Sequence, residues 1–257
     1  MAANYTLTGG THSFAINPKA VNIAGTRQYN GTTNIVASDI SGITGTVNTE
    51  TLTMSSGLGS TSSANVGTYN LTDTSAGTLA LGNGSNGGLA SNYTLTGGTQ
   101  DYTITQRVLN SSGSKTYDAN TNALAGAITL SNLVSGEALN HSGTATISSA
   151  NAGSYTISNL TGITIADGSG GTASNYTLTG GTHNFTVNPK VVSIQGNKTY
   201  DGNTTISSSD ITSITGTVGS ETLVMSSGTG TTSSQNAATY ASAGINEGSL
   251  TLGNVSN

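Results

Sequence analysis

Cysteine is absent from this sequence, which excludes a disulfide framework, a thiolate metal site and a thiol nucleophile. Tryptophan is absent too, and charge is scarce: Asp, Glu, Lys and Arg make up 7% of the residues, against roughly 25% in an average domain. Six bases against eleven acids give a formal charge of −5. That leaves no basic patch to neutralise phosphates and no polybasic segment for a membrane surface, so nucleic acid is not an expected partner. No apolar run approaches the roughly 18 residues of a membrane span, so membrane insertion is not expected either. The start MAANYTLTGG has neither the basic nor the apolar region of a signal peptide.

What fills the chain is Thr, Ser, Asn and 36 Gly, beside an apolar share of 33%. With so little charge this is not the composition of charge-driven disorder. Those residue types favour strands and turns over helices, and almost no helix is expected.

The heptapeptide NYTLTGG occurs three times, from Asn4, Asn92 and Asn175, at intervals of 88 and 83 residues. Self-similarity at a fixed period marks a repeat architecture, and a period above 80 suits a small domain better than one coil of a solenoid. The repeat absorbs every aromatic residue. Tyr5, Tyr93 and Tyr176 are one position; Phe14, Tyr102 and Phe185 a second; Tyr29, Tyr117 and Tyr200 a third; Tyr69, Tyr155 and Tyr240 a fourth. These twelve are assigned to a structural core. The six bases fall on two positions, Lys19, Arg107 and Lys190, then Arg27, Lys115 and Lys198. Glu50, Glu137 and Glu221 form a third charged position, each three residues after a Val and two before a Leu. ITGTVNTETLTMSSG and ITGTVGSETLVMSSG make the outer copies closer to each other than to the middle one, an A-B-A order.

Period-two alternation marks strands in YTLTGGTHSFAIN, KAVNIAG, ETLTMSS and TLALGN, and turn residues such as Asn30-Gly31 separate them. Six to eight strands per repeat predict an all-β chain, a tandem array of about three small antiparallel sandwich-like modules in an extended rod. A β-grasp-like module is the alternative, with SSSDITSITG supplying one short helical turn. Proline ends a strand, so Pro18 and Pro189, with Gln106 between them, set the module boundaries. Residues 1–17 are then the orphan last strand of a preceding module, 18–105 an A module, 106–188 a B module, and 189–257 an A module lacking its last strand. The chain reads as a fragment of a longer array whose N-terminal strand can complete another copy head to tail. The other phase places each boundary before NYTLTGG and makes all three modules whole.

Candidate chemistry is sparse. His12 and His183 are repeat equivalents with Gln100 between them, and His141 has no equivalent, so these read as surface polar residues. No nucleophile elbow or phosphate loop stands in context, and one recurring Glu per module falls short of a paired-carboxylate hydrolase, so no catalytic residue is expected. Asp118 and Asp201 head the oxygen-rich turns YDANTN and YDGNTT and are the only candidate calcium ligands. The first copy has Asn30 there and neither turn carries further carboxylates, so a tight turn with a neighbouring base is the preferred reading and no cofactor is expected. A Lys-Asn isopeptide staple is disfavoured because neither basic position is Lys in every copy. The tyrosines form a core before they form a sugar-stacking platform.

The string KTYDGNTT, followed by an acid-x-Leu strand, a Tyr-bearing segment, SNYTLTGG and NPK, resembles the YDG-type repeats of large bacterial adhesins, filamentous-haemagglutinin-like exoproteins exported by two-partner secretion. The first copy departs with RQYNG and the second with KTYDA and QR. The resemblance implies a secreted or bacterial cell-surface location and a stalk of tandem repeats serving cell adhesion or biofilm cohesion. The partners it implies are neighbouring repeats and extracellular polysaccharide or a host surface. A carbohydrate-binding module, for exopolysaccharide or host glycan, is the rival reading.

Overall fold

The computed structural model of the chain describes residues 1–70 and 72–255. Among the described residues the only helical elements are three-residue 3-10 turns, and the strands run from two to nine residues. No helix among them is long and apolar enough to cross a membrane. The all-β expectation is met. The short helical turn expected in SSSDITSITG is present as Ser208–Asp210, followed directly by the strand Ile211–Thr215.

Two compact units make up the chain, one of residues 1–110, 130–141 and 165–181, the other of residues 111–129, 142–164 and 182–257. In the first, Asn22–Gln28 is one of the two inner strands of a four-stranded sheet. It runs antiparallel to Ile40–Thr44 and parallel to Gln100–Thr105, whose other edge takes Gly67–Tyr69 antiparallel. Alternation decides which face is inside: Val21, Ile23, Tyr102 and Ile104 are each 5% exposed or less. They join Tyr29, Tyr69, Leu79, Tyr93 and Leu109 in one core.

The second unit repeats this plan. Asn110–Thr116 pairs parallel with His183–Asn188, which takes Gly153–Asn159 antiparallel on its other side. Ile128, Ile147, Ile157, Phe185 and Val187 supply its buried apolar side chains. The strands Gln100–Thr105 and His183–Asn188 end directly before Gln106 and Pro189. Most ladders are antiparallel, yet the first and last long strands of a repeat lie side by side and parallel, a pairing the sandwich expectation did not contain.

A glycine makes that pairing close. A Cβ on Gly25 would lie 3.0 Å from the Tyr102 ring and 2.7 Å from the Asp39 carbonyl oxygen; one on Gly113 would lie 2.7 Å from the Phe185 ring. In both repeats the aromatic of the last strand sits over a glycine of the first, at the same register.

Three of the twelve assigned core aromatics are not core here. Tyr5 is 85% exposed, Phe14 92% and Tyr200 62%. Tyr117, Tyr155 and Tyr240 are half-buried, and the other six are buried. The strand expected from YTLTGGTHSFAIN does not form either: residues 5–18 contain none. The reason is pairing. NYTLTGGTH at 175–183 has the same nine residues as 4–12, yet Tyr176–Thr177 and the strand from His183 are extended against Arg107–Val108 and Asn110–Thr116. His183 pairs with Ser111, 72 residues earlier, whereas residues 5–18 have no ladder partner among the described residues. Without a neighbour to take its backbone hydrogen bonds, the segment gains nothing by extending.

Candidate functional site

The recurring glutamate is where the repeats meet. Val47-x-x-Glu50, Val134-x-x-Glu137 and Val218-x-x-Glu221 each close a turn in which the Glu N–H donates to the Val carbonyl at 3.0 Å. The turn offers one free backbone N–H and one carboxylate on the same side, and a tyrosine hydroxyl fits both. Tyr176 Oη accepts from the Val134 N–H at 3.0 Å and donates to Glu137 Oε2 at 2.6 Å. Tyr93 does the same with Val47 and Glu50.

The second carboxylate oxygen reaches into the preceding repeat. Tyr29 Oη donates to Glu137 Oε1 at 2.6 Å, and Tyr117 Oη donates to Glu221. At Glu137 the pattern is complete, with both oxygens taken and the Tyr29 and Tyr176 rings edge to face at 5.4 Å. Around it, Asn175 is 1% exposed because its amide spans the same joint, accepting from the Val66 N–H and donating to Asn65 Oδ1, each at 2.9 Å. Arg107 donates to the Asn132 carbonyl at 2.6 Å and side-chain oxygen at 2.8 Å, and reaches the Tyr29 carbonyl at 3.5 Å.

Electrostatics suit this joint to holding rather than reacting. The Tyr29 phenol is pushed up to about 12, chiefly by burial and then by the hydrogen bond to Glu137 and its charge. Tyr176 is raised for the same two reasons in the same order. Both are therefore neutral donors at neutral pH and poor general acids. Hydrogen bonds to a charged acceptor contribute about 1.5–3 kcal/mol each, so the pair is a substantial staple. Unfolded phenols ionise near pH 10, so above about pH 10 the unfolded chain sheds protons that the folded chain keeps. Stability is then lost as pH rises through the window from about 10 to about 12. Urea midpoints followed by circular dichroism should be level to the edge of that window and fall within it, less steeply in Tyr29→Phe.

The YD turns are oxygen cages already holding a cation. Lys115 Nζ donates to the Asn120 carbonyl at 2.7 Å, Asn120 Oδ1 at 2.9 Å and the Asn122 carbonyl at 2.9 Å, and pairs with Asp118 at 2.7 Å. Lys198 sits likewise among Asn203, Thr205 and Asp201, and Arg27 bonds Asn30 and Thr32 in the first copy. The Lys hydrogen bond is the largest influence holding Asp118 and Asp201 below the usual carboxylate range. A calcium ion at either aspartate would have to displace this ammonium. The same ionised carboxylate is the wrong form to donate a proton for amide formation between Lys115 and Asn120.

One histidine reading is corrected. His12 is exposed, but His183 is 6% exposed and lies 3.0 Å from Ser111 Oγ through Nδ1. It is inward because HNFTV alternates and His183 shares the face of Phe185 and Val187. The Glu and Asn175 contacts were not read from sequence. The signal for the first was the fixed Val-x-x-Glu-x-Leu spacing; the second had none, since Asn92 and Asn4 carry the same letter and are exposed.

The family model of the YDG domain matches residues 15–105 and again 99–183. No curated protein and no solved structure matches the chain.

Proposed function

Because the chain belongs to the YDG domain family, with matches that together span residues 15–183, we propose that its repeats are stalk segments of a secreted bacterial surface adhesin. The observation that carries this reading is the parallel pairing of the first and last long strands. Six residue pairs join Ile23–Gln28 to Gln100–Thr105, and six join Ser111–Thr116 to His183–Asn188. The chain enters such a ladder at one end and leaves it at the other. Tension along the chain therefore loads all the rungs in shear at once instead of opening them one by one. The Tyr-Glu contacts then join side chains of successive repeats. A filamentous-haemagglutinin-like exoprotein exported by two-partner secretion, serving adhesion or matrix cohesion, is the setting that suits a part of this kind. Tandem modules also gain from many weak contacts along their length.

The sugar-binding alternative finds less support. Tyr29, Tyr69, Tyr93, Tyr102, Tyr176 and Phe185 are buried, which removes their faces from stacking on a glycan. Small-angle scattering tests the stalk. Close packing of 257 residues would give a radius of gyration near ~18 Å, whereas three modules of roughly 30 Å end to end give about 27–30 Å. A value in the upper range is expected, and one near the lower figure would remove the reading.

A further inference from the structure

Asparagine precedes glycine at three places, Asn30-Gly31, Asn83-Gly84 and Asn86-Gly87. In such a pair the glycine nitrogen can attack the side-chain carbonyl carbon of the asparagine, because no Cβ shields it. The attack needs an amide N–H that is not already engaged, a carbonyl oxygen held by donors that take up the charge it develops, and a side-chain nitrogen free to leave. The three places are not equipped alike.

At Asn83 the nucleophile is engaged: the Gly84 N–H donates to the Gly88 carbonyl at 3.0 Å, and Asn83 Oδ1 takes a bond from the Ala90 N–H at 2.8 Å. At Asn86 the leaving group is engaged. Its Nδ2 donates to the Thr49 carbonyl at 3.0 Å, and among the described residues nothing donates to its Oδ1.

Asn30 has the opposite arrangement. Its Oδ1 accepts from the Thr32 N–H at 3.1 Å, from Thr32 Oγ1 at 3.0 Å and from Arg27 Nη1. The bond to the Thr32 N–H folds the side chain back over its own backbone and brings Cγ beside the intervening Gly31 nitrogen. Among the described residues neither the Gly31 N–H nor Asn30 Nδ2 has a hydrogen-bond partner. The guanidinium is fixed in place, since Nη2 donates to the Thr32 carbonyl while Nε is buried without a partner. A fixed positive charge and two further donors on one oxygen make an oxyanion hole around the atom that turns negative as the ring closes.

Charge gives an independent reason to look here. Lys115 pairs with Asp118 at 2.7 Å and Lys198 with Asp201 at 2.9 Å, whereas Arg27 faces an asparagine at that repeat position and forms no ion pair among the described residues. An acid at position 30 would give the first repeat the acid-base cage of the other two.

We infer that Asn30-Gly31 is a self-modifying site, at which the folded turn speeds the conversion of Asn30 to aspartate. The Gly31 nitrogen bonds to Asn30 Cγ, the bond from Cγ to Nδ2 breaks, and the Gly31 amide proton passes through water to the departing nitrogen, which leaves as ammonia. Water then adds to the cyclic imide. Opening at Cγ leaves an aspartate, and opening at the main-chain carbonyl leaves its isomer. Water is the one co-reactant, and nothing is oxidised or reduced.

Peptide mapping by mass spectrometry, on the whole chain kept in warm neutral buffer with and without guanidinium chloride, tests this. In the folded chain the acid should accumulate at position 30 several-fold faster than at 83 or 86, and faster than at position 30 of the unfolded chain. Arg27→Gln and Thr32→Val each remove one donor from Asn30 Oδ1. Each should slow position 30 in the folded chain about tenfold, less than a buried oxyanion donor is worth because this turn is exposed. Thr32 is itself exposed, so the second variant leaves the fold intact. A position 30 that converts no faster in the folded chain than in the unfolded one, or that keeps its rate in both variants, would overturn the inference.

Discussion

Tyr176→Ala is expected to lower stability by about 3–5 kcal/mol, the range for truncating a fully buried aromatic. Tyr176 is 1% exposed and does three things at once: it fills the core beside Leu109, donates to Glu137, and packs edge to face on Tyr29. Truncation leaves a cavity and strips Glu137 of one of its two donors. Tyr176→Phe keeps the ring and removes only the hydroxyl, which isolates the hydrogen-bond part at about 1–3 kcal/mol. The readout is the denaturant midpoint of the transition that residue 176 reports, since an array of modules need not unfold in one step. Tyr5→Ala, at the equivalent but exposed position, should change that midpoint by less than about 0.5 kcal/mol.

Gly113→Ala carries the second large effect. The added Cβ would come to 2.3 Å from the Ala127 carbonyl oxygen and 2.7 Å from the Phe185 ring, between a backbone and a ring that is itself 1% exposed. Neither neighbour yields cheaply in a close-packed interior, so a loss of about 3 kcal/mol is expected, at the upper end for overpacking. Gly126→Ala is the control. Its Cβ meets nothing within 4 Å, and the change should lie within about 0.5 kcal/mol. Equal urea midpoints for Gly113→Ala and the wild type would mean that the aromatic-over-glycine contact does not govern the closing of the repeat.

The all-β class, the turn positions and the inward faces of the strands at Val21, Ile23, Leu52 and Leu79 were legible because period-two alternation and Asn-Gly pairs act locally. What was not legible depends on partners far along the chain. The nine residues 175–183 and 4–12 are identical, yet Tyr176–Thr177 and His183 lie in strands and 175–178 are buried or half-buried, whereas 4–12 are strandless and exposed, so their own propensities do not decide the outcome. Tyr117 and Tyr200, one repeat position, differ in burial, and the half-buried Tyr117 donates to Glu221, 104 residues further along the chain. His183 misled in the opposite direction, since a Gln in the middle copy suggested a surface site. The alternation His-x-Phe-x-Val was the better guide, because a strand's face is set by parity and not by polarity. The glutamate joint lay between these cases: its spacing was visible as a recurrence, but its two tyrosine donors come from different repeats.

The central claim is that the parallel pair of strands holds each repeat shut against tension, and pulling on single molecules tests it most directly. The chain has no cysteine, so handles can be placed at will. Loading from the two termini shears the ladder between Ile23–Gln28 and Gln100–Thr105, whereas handles at Asn22 and Thr99, which lie at one end of it, peel the same rungs in succession. The expected result is a rupture force several-fold higher from the termini than from the Asn22 and Thr99 handles. Each event from the termini should release a length of up to about 300 Å, the reach of the 88 residues from one copy to the next. Equal rupture forces in the two geometries, or gradual extension from the termini without discrete events, would contradict it.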